Sequence, residues 1–252
     1  KTSLAELPYG GAKGGIRFNP KEKTPAEIEK ISRAYINGFY KVLGEDIDIP
    51  APDVYTNSQI MAWMLDEFEK KMNRHEPGMI TGKPLELQGC AIRATATAKG
   101  GAIIIQEMVK QLMTGKKGAK VAIQGFGNAG ANLAEMLFKL GFKIVAVSDS
   151  QGGVYDQNGL DIDRIKEIKK QTGLINGDIK GGRKINNREI LELPVDILIL
   201  AALENQITEE NVSQIKANYI VEIANGPINY QADQQLFEKG IVVIPDILAN
   251  AG

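Results

Sequence analysis

Apolar residues recur three or four positions apart in two stretches of the first 80 or so residues, and this spacing predicts helices that bury one face. The sequence TPAE at residues 24–27 predicts the start of the first helix, because it combines a capping box with proline at the first helical position. Gly44 predicts the end of this helix, and the second is expected to start near Asn57. The apolar residues of the first helix are Ile28, Ile31, Tyr35, Phe39 and Val42. Those of the second are Ile60, Met61, Met64, Leu65 and Phe68.

From about residue 120 onwards, short runs rich in Val and Ile alternate with helical stretches. Such alternation is typical of a parallel sheet that is covered by helices on both faces. The predicted strands are residues 121–124, 144–147, 197–200, 219–222 and 241–244, and the predicted helices include residues 131–140, 161–171 and 230–239. A polar stretch at residues 73–84 precedes this region and predicts a hinge, so we expect a domain boundary between residues 82 and 83.

The sequence GFGNAG at residues 125–130 fits the GxGxxG pattern in the context that dinucleotide binding requires, since it follows a predicted strand and opens a helix. The first glycine makes the tight turn, the second lets the backbone approach a pyrophosphate, and the third lets helix and strand pack closely. Asp149 ends the next strand, close to the place expected of a carboxylate that binds ribose. The predicted fold is therefore α/β, with a Rossmann-type doubly wound sheet. The alternative is a glycine-rich turn without a ligand.

The expected cofactor is NAD or NADP, with a preference for NAD. A 2′-phosphate requires a cation beside the second strand, but Asp149 is followed directly by Ser150-Gln151-Gly152. An acceptor without an adjacent cation favours NAD. A cation from elsewhere could still fold over the site, and the candidates are Lys180, Arg183 and Lys184.

The sequence LPYGGAKGGI surrounds Lys13 with four glycines. Gly10 and Gly11 let the backbone approach a small ligand and leave the lysine ammonium as the only side-chain function nearby. Because the pKa of a lysine falls readily on burial or beside another cation, lysine can act as a base near neutral pH. The alternative is a flexible loop with a solvated lysine. Asp53 lies in a proline-stiffened loop before the helix at Asn57, where by itself it predicts only a carboxylate that interacts with the helix dipole.

Composition and charge exclude several classes of protein. The chain is 43% hydrophobic and 24% charged, which is ordinary for a globular protein. Its net charge of −1 implies no broad cationic surface, so neither nucleic acid nor an anionic membrane is an expected partner. No apolar run reaches transmembrane length. A single cysteine allows no internal disulfide and favours a reducing compartment, so we expect a cytoplasmic protein.

Other chemically distinctive residues are predicted to be structural. Cys90 is expected to be a small buried residue, and His75, the only histidine, is expected to be solvated. No cluster of Cys and His offers a metal site, and no metal is expected. The charged run at residues 161–170 predicts the solvated face of a helix.

Seven segments resemble the glutamate dehydrogenases of the Glu/Leu/Phe/Val dehydrogenase superfamily, and they occur in the family's order along the whole chain. They are LPYGGAKGGI, IPAPDVYTNSQIMAWMLDEF, GFGNAG, AVSDSQGG, AALENQIT, ANGP and PDILANAG. The segment CAIRATATAKG is most similar to archaeal members. The resemblance implies that residues 1–82 are the C-terminal part of an α/β substrate (dimerisation) domain, that residues 83–252 are the dinucleotide-binding Rossmann domain, and that the chain is truncated at both ends.

The resemblance also implies an activity and site residues. The activity is the reversible oxidative deamination of L-glutamate to 2-oxoglutarate and ammonium by a homohexamer. Lys13 and Asp53 match the catalytic residues, Lys1 matches the lysine that holds the substrate α-carboxylate, and Gly10 and Gly11 lie in the same substrate-binding motif. The positions that match dinucleotide-binding residues are Arg93, Thr97, Gly125, Phe126, Gly127, Asn128, Ala129, Gly130, Asp149, Ser150, Ala201, Ala202, Asn205 and Asn225.

Two alternatives remain open. Leucine, phenylalanine and valine dehydrogenases share the lysine pair and the Rossmann half, and the family's lysine for the substrate side-chain carboxylate would lie upstream of Lys1. A serine of the same pocket would lie past Gly252. The second alternative is a catalytically silent paralogue that keeps the cofactor fold, against which the presence of Lys1, Lys13 and Asp53 together argues.

Overall fold

The computed structural model describes residues 1–175, 179 and 181–252, and the chain forms two compact units. Unit 1 comprises Lys1–Pro8 and Thr95–Gly252, and unit 2 comprises Tyr9–Ala94. These units are defined by contacts within each of them, and the domain boundary expected at residues 82 and 83 stays a prediction.

Unit 2 is built on two helices that pack on each other, α1 (Pro25–Phe39) and α2 (Ser58–Met72). The predicted capping box is confirmed, because Thr24 Oγ1 accepts from the Glu27 N–H at 3.3 Å and the Glu27 carboxylate accepts from the Thr24 N–H at 2.9 Å. Helix α1 ends earlier than predicted, since a short 3₁₀ turn replaces it before Gly44. The core of this unit consists of Ile36, Leu43, Ile60, Met61, Met64, Leu65, Phe68, Met79 and Ile80.

Unit 1 contains a seven-stranded sheet with the spatial order β4-β3-β2-β1-β5-β6-β7. Its strands are β1 (Lys120–Gln124), β2 (Lys143–Asp149), β3 (Gly152–Tyr155), β4 (Arg183–Ile185), β5 (Ile197–Leu200), β6 (Tyr219–Glu222) and β7 (Val242–Ile244). Its helices are α3 (Ala96–Leu112), α4 (Asn128–Lys139), α5 (Ile162–Thr172), α6 (Tyr230–Glu238) and α7 (Asp246–Ala249). The five predicted strands therefore correspond to β1, β2, β5, β6 and β7, which pair in parallel.

Two strands that the sequence did not predict extend one edge of the sheet, where β3 pairs antiparallel with β2 and β4 pairs antiparallel with β3. Only two residues join β2 to β3, and so short a connection can produce only an antiparallel pair. Gly152 has a φ of +131° at this turn, a conformation that side chains disfavour.

The sheet is buried on both faces, as predicted for a doubly wound fold. One buried cluster joins the strands to α3, α4 and α5, and its large members include Ile105, Leu133 and Ile165. A second cluster covers the other face with α6 and the segments before β5 and β6, and it includes Leu198, Ile220 and Leu236. Residues such as Val121 and Ile197 lie at 0% exposure, which agrees with continuous apolar strands.

Three smaller expectations concern individual residues. The expected burial of Cys90 is wrong, because its segment is an exposed loop that leads into a 3₁₀ turn. His75 is 69% exposed and its Nδ1 lies 2.8 Å from a Glu69 oxygen. Among the residues whose structure is described, no group of His, Cys, Asp and Glu is arranged to hold a metal, and no helix is long and apolar enough to cross a membrane.

Candidate functional site

In unit 2, the Lys13 ammonium donates a hydrogen bond to Oδ2 of Asp53, a residue 40 positions later in the chain. Both side chains are open to solvent, Lys13 at 84% and Asp53 at 57% exposure. The structure therefore brings the two predicted catalytic residues into direct contact at an accessible surface. A base and an acid in contact can exchange a proton.

The loop that carries Asp53 is held by local hydrogen bonds. The Asp53 N–H donates to Thr56 Oγ1 at 2.6 Å, and the Thr56 hydroxyl donates to the Asp53 carbonyl at 2.7 Å. Between them Tyr55 adopts a φ of +58°, which is uncommon outside glycine. The Thr81 N–H donates to the Pro50 carbonyl at 2.9 Å and anchors the start of the loop. The carboxylate is thus fixed by its backbone rather than by burial.

Two donors act on the Asp53 carboxylate. Hydrogen bonds from the Lys13 ammonium and from the Val54 N–H lower the pKa of Asp53 below its ordinary value, against the opposing effect of partial burial. The Val54 N–H lies 2.8 Å from Asp53 Oδ1, so each carboxylate oxygen has one of these donors. The carboxylate form is therefore favoured.

The glycines beside Lys13 differ in what surrounds them. Gly10 and Gly11 are exposed, and a β-carbon at either would meet no atom within 4 Å. A β-carbon at Gly14 would instead lie 2.5 Å from the Tyr35 hydroxyl on α1. The first two therefore leave open space for a ligand, whereas a side chain at the third would displace the Tyr35 hydroxyl.

In unit 1, the glycine loop at residues 125–130 joins β1 to α4. Gly125 has a φ of +95°, and a β-carbon there would lie 2.5 Å from the Ala201 carbonyl group. A β-carbon at Gly130 would overlap the Gly125 carbonyl oxygen. At Gly127 it would meet nothing within 4 Å. Two glycines are thus needed for packing, while the middle one opens onto space at the N-terminus of α4, where backbone N–H groups can bind an anion.

The remaining residues of this motif have distinct environments. The Phe126 ring is buried at 1% exposure. Asn128 and Ala129 lie in the first turn of α4, and Ser150 is exposed directly after β2.

Asp149, at the end of β2, is a buried carboxylate with several donors. Its side chain is 7% exposed and lies 3.3 Å from the Lys169 ammonium on α5. Its oxygens also accept from the Ile175 N–H at 2.8 Å and the Gln151 N–H at 3.0 Å. A cation therefore lies beside the predicted ribose-binding residue. The residues next to Asp149 in the chain do not predict this contact, because Lys169 lies 20 positions later on a separate helix.

Of the three cations that the sequence did suggest, the two that the structure describes, Arg183 and Lys184, form no ion pair with Asp149. Arg183 is paired with Glu189 at 3.0 Å and lies over the Tyr155 ring at 5.7 Å. Lys184 is an exposed residue of β4, and Lys180 lies outside the described residues.

The loops after β5 and β6 carry the other predicted dinucleotide residues of unit 1. Ala201 and Ala202 pack against Gly125, and Asn205 has a φ of +52°. Asn225 is exposed after β6, and its Oδ1 accepts from the Lys1 ammonium at 2.7 Å. The predicted substrate-carboxylate lysine is thus hydrogen-bonded to a predicted dinucleotide residue.

The last two predicted residues lie on either side of the division between the units. Arg93 is exposed in a 3₁₀ turn at the end of unit 2 (Ala91–Ala94). Thr97 lies in the first turn of α3 in unit 1.

A doubly wound sheet whose strand order reverses between β1 and β5, with a glycine loop after β1, defines a Rossmann-type α/β protein. Ligands of such folds bind outside the carboxyl ends of the strands at the reversal point, where this glycine loop lies. The chain belongs to the Glutamate/Leucine/Phenylalanine/Valine dehydrogenase family, whose profile matches residues 89–252. The profile of the family's dimerisation domain matches residues 1–70.

Its relatives carry the names of glutamate dehydrogenases. The chain is 48% identical to the glutamate dehydrogenase of Aeropyrum pernix, and the match covers all of the chain and 60% of the relative. It is 47% identical to an NADP-specific glutamate dehydrogenase of Synechocystis, covering all of the chain and 61% of the relative. An NAD-specific glutamate dehydrogenase of Staphylococcus aureus is also 47% identical, with 60% of its length covered. The chain thus spans about 60% of the length of the curated relatives it matches.

The fold of the chain also matches solved structures. The structure of a hetero-hexameric glutamate dehydrogenase from Thermus thermophilus, in its leucine-bound form, aligns with a TM-score of 0.91 at 34% identity. The alignment covers 100% of this chain and 59% of that chain.

Proposed function

We propose that this protein catalyses the reversible oxidative deamination of L-glutamate to 2-oxoglutarate and ammonium, with NAD or NADP as the hydride acceptor. The observation that carries the proposal is the direct hydrogen bond between Lys13 and Asp53 in an accessible loop. The names of the relatives support it over the whole length of the chain.

Lys13 and Asp53 divide the proton transfers of this reaction. A bound nicotinamide would supply the acceptor for the hydride from Cα of glutamate, and the oxidised substrate is 2-iminoglutarate. The Lys13 ammonium passes a proton to Asp53, and the resulting neutral amine takes a proton from the water that attacks the imine carbon. Asp53 carries protons to and from the substrate nitrogen, which leaves as ammonia. The hydrogen bond between Lys13 and Asp53 gives a direct path for a proton to pass between the two side chains.

Binding of the substrate requires a cation for its α-carboxylate and a stretch of backbone that no side chain covers. Lys1 neutralises the α-carboxylate of glutamate, and Asn225 orients its ammonium through the hydrogen bond of 2.7 Å. Gly10 and Gly11, which have open space above them, let the substrate approach the chain.

The glycine loop fits a dinucleotide. Gly127 leaves room for a pyrophosphate, and the first turn of α4, which begins at Asn128 and Ala129, presents N–H groups to its charge. Phe126, Gly125 and Gly130 shape the loop. Arg93 and Thr97 are assigned to the nicotinamide carboxamide end, and the remaining assigned residues are Ser150, Ala201, Ala202, Asn205 and Asn225.

NAD is the preferred dinucleotide in this proposal, because Asp149 accepts the ribose 2′-hydroxyl. Lys169 weakens the preference, since its ammonium lies 3.3 Å from that carboxylate and offsets the repulsion of a 2′-phosphate.

The protein acts as a homohexamer in the cytoplasm in this proposal. A structural neighbour is a hetero-hexameric glutamate dehydrogenase, and residues 1–70 match the family's dimerisation domain. The single cysteine favours a reducing compartment.

The test is to assay the full-length protein with L-glutamate, L-leucine and L-phenylalanine, each with NAD and with NADP. We expect the highest kcat/KM with glutamate. A higher value with leucine or phenylalanine would assign the protein to the other branch of the family. Binding of NADH without turnover of any amino acid would identify a silent paralogue.

A further inference from the structure

Gln124 is a buried polar residue at the carboxyl end of β1, directly before the glycine loop. Its side chain is 3% exposed, in a strand whose other inner residues are apolar. Its Nε2 donates to Gln206 Oε1 at 2.8 Å, across 82 positions of the chain. Because a buried amide is costly unless it is hydrogen-bonded, this pair requires an explanation beyond packing.

Besides the bond from Gln124, Gln206 forms three hydrogen bonds, one within its own loop and two to neighbouring segments. Its Nε2 donates to the Glu204 carbonyl at 2.9 Å, and its N–H donates to the Pro227 carbonyl at 2.7 Å. Its carbonyl accepts from Asn211 Nδ2 at 2.8 Å. Since the Glu204 carbonyl can only accept, it fixes which end of the Gln206 amide faces Gln124. Gln124 therefore donates to Gln206, and Gln206 in turn donates to the Glu204 carbonyl.

The loop at residues 201–206 lies against the glycine loop. The Ala201 N–H donates to the Gln124 carbonyl at 2.7 Å, and the Ala201–Ala202 peptide group packs on Gly125 so closely that no β-carbon fits. Within this loop Asn205 has a φ of +52°, a conformation that its neighbours must stabilise. Residue 206 follows it directly and is the residue that Gln124 holds.

We infer that Gln124 and Gln206 are positioning residues for dinucleotide binding. Their amide pair fixes the loop at residues 201–206 against the glycine loop, at the strand-order reversal where a dinucleotide binds. The inference rests on the proposed function in that it requires a dinucleotide ligand. It assigns a role to two side chains that need not touch that ligand.

The test measures binding of NADH and NADPH by fluorescence titration of the full-length protein. Gln124→Met keeps about the size of the side chain but removes its donor. We expect dissociation constants about ten- to a hundredfold higher than in the parent, because a buried acceptor is left without its donor. Gln206→Met leaves the buried strand residue unchanged and is expected to have a similar effect. The matched control is Gln214→Leu at an exposed glutamine, which should change nothing.

Steady-state kinetics separate positioning from general loss of structure. We expect the KM for the dinucleotide to rise while the KM for glutamate stays within about twofold. We also expect the variant with both substitutions to bind NADH no more than about twofold more weakly than the weaker-binding of the two single variants. The reason is that both substitutions break the same hydrogen bond.

Three outcomes would overturn the inference. If the parent binds neither dinucleotide, the proposed function fails with it. If the parent binds but Gln124→Met and Gln206→Met bind equally well, the inference alone fails. A parallel rise in the KM for glutamate would identify a merely structural pair.

Discussion

The carboxylate of Asp149 and the ammonium of Lys169 form a partly buried pair at the end of β2, where we propose that the 2′-position of the adenosine ribose binds. The carboxylate repels a 2′-phosphate, and the ammonium 3.3 Å away attracts one. Asp149 also accepts from two backbone N–H groups, which fix its position, and the Lys169 side chain is 27% exposed. The balance between these two charges is therefore expected to set the cofactor preference.

Substitutions at Lys169 and at Asp149 should shift the preference between NAD and NADP in opposite directions. Lys169→Met leaves the carboxylate unpaired, so the ratio of kcat/KM for NAD to that for NADP should rise about tenfold. Asp149→Asn removes the repulsion and releases the ammonium, so the same ratio should fall by about ten- to a hundredfold. Lys170→Met, at the exposed neighbouring residue, is the matched control. An unchanged ratio in both variants would remove Asp149 and Lys169 from cofactor selection.

At the scale of the β1–α4 element, two glycines of the same motif should respond differently to alanine. A β-carbon at Gly130 overlaps the Gly125 carbonyl oxygen, so Gly130→Ala should lower the Tm and weaken dinucleotide binding together. At Gly127 the space is open, so Gly127→Ala should keep the parental Tm but lose at least about tenfold in NADH affinity. Gly38→Ala, in α1 with open space around it, should leave binding unchanged. Parental NADH affinity in Gly127→Ala would mean that no ligand approaches the chain there.

Helices α4 and α5 are joined by Glu135, which accepts hydrogen bonds from Lys139 and Lys166. These bonds, that from Lys139 first, lower the pKa of Glu135 from 4.5 to about 2. A carboxyl whose pKa is lowered by folding stabilises the protein above its unfolded pKa and loses this contribution as the pH falls through the folded pKa. The contribution should therefore disappear between pH 4.5 and about 2.

The corresponding experiment is urea denaturation of Glu135→Gln and the parent. Because Lys139 is 67% exposed, solvent screens the interaction, and we expect the variant to lose only about 1 kcal/mol at pH 7. The difference should shrink as the pH falls below 4.5 towards 3. Glu107→Gln, at a more exposed pair on α3, should show no difference at either pH. A difference that does not depend on pH would assign the effect of Glu135 to packing.

The sequence predicted elements that have a local pattern and missed those that depend on distant contacts. Helix α3 escaped prediction because its sequence contains the pair Gly100-Gly101, which disfavours a helix locally. In the structure Gly101 packs so closely on Ile223 that a β-carbon would lie 2.7 Å from it, so tertiary packing overrides the local preference.

In the candidate site, too, features with a local sequence pattern were predicted and features that depend on distant contacts were not. Contiguous motifs predicted the glycine loop and the Lys13 loop from the chain alone. The charged run at residues 161–170 predicted only a solvated face, yet Lys166 and Lys169 lie partly buried against Glu135 and Asp149. The partner of a charged residue depends on which elements pack together, and a single sequence carries little information about that.

For the whole molecule, the proposed proton-transfer pair and the glycine loop belong to different compact units, although Lys1 belongs to unit 1 and Arg93 to unit 2. Lys13 and Asp53 are hydrogen-bonded within unit 2, and the glycine loop, Asp149 and the loop at residues 201–206 belong to unit 1. Substitutions in one set should therefore affect one function and leave the other intact.

Lys13→Ala and Asp53→Asn test this separation in the full-length protein. Each removes a group that transfers protons, and such groups typically contribute about 10²–10⁴-fold, so we expect kcat for glutamate oxidation to fall by that range. The dissociation constant of NADH should stay within about twofold of the parent, since neither side chain is a partner of the glycine loop. Lys30→Ala, at an exposed lysine of α1, controls for loss of surface charge in the same unit. Turnover above about a tenth of the parental rate would remove the substituted residue from proton transfer. A tenfold change in NADH affinity would instead show that the two functions are coupled.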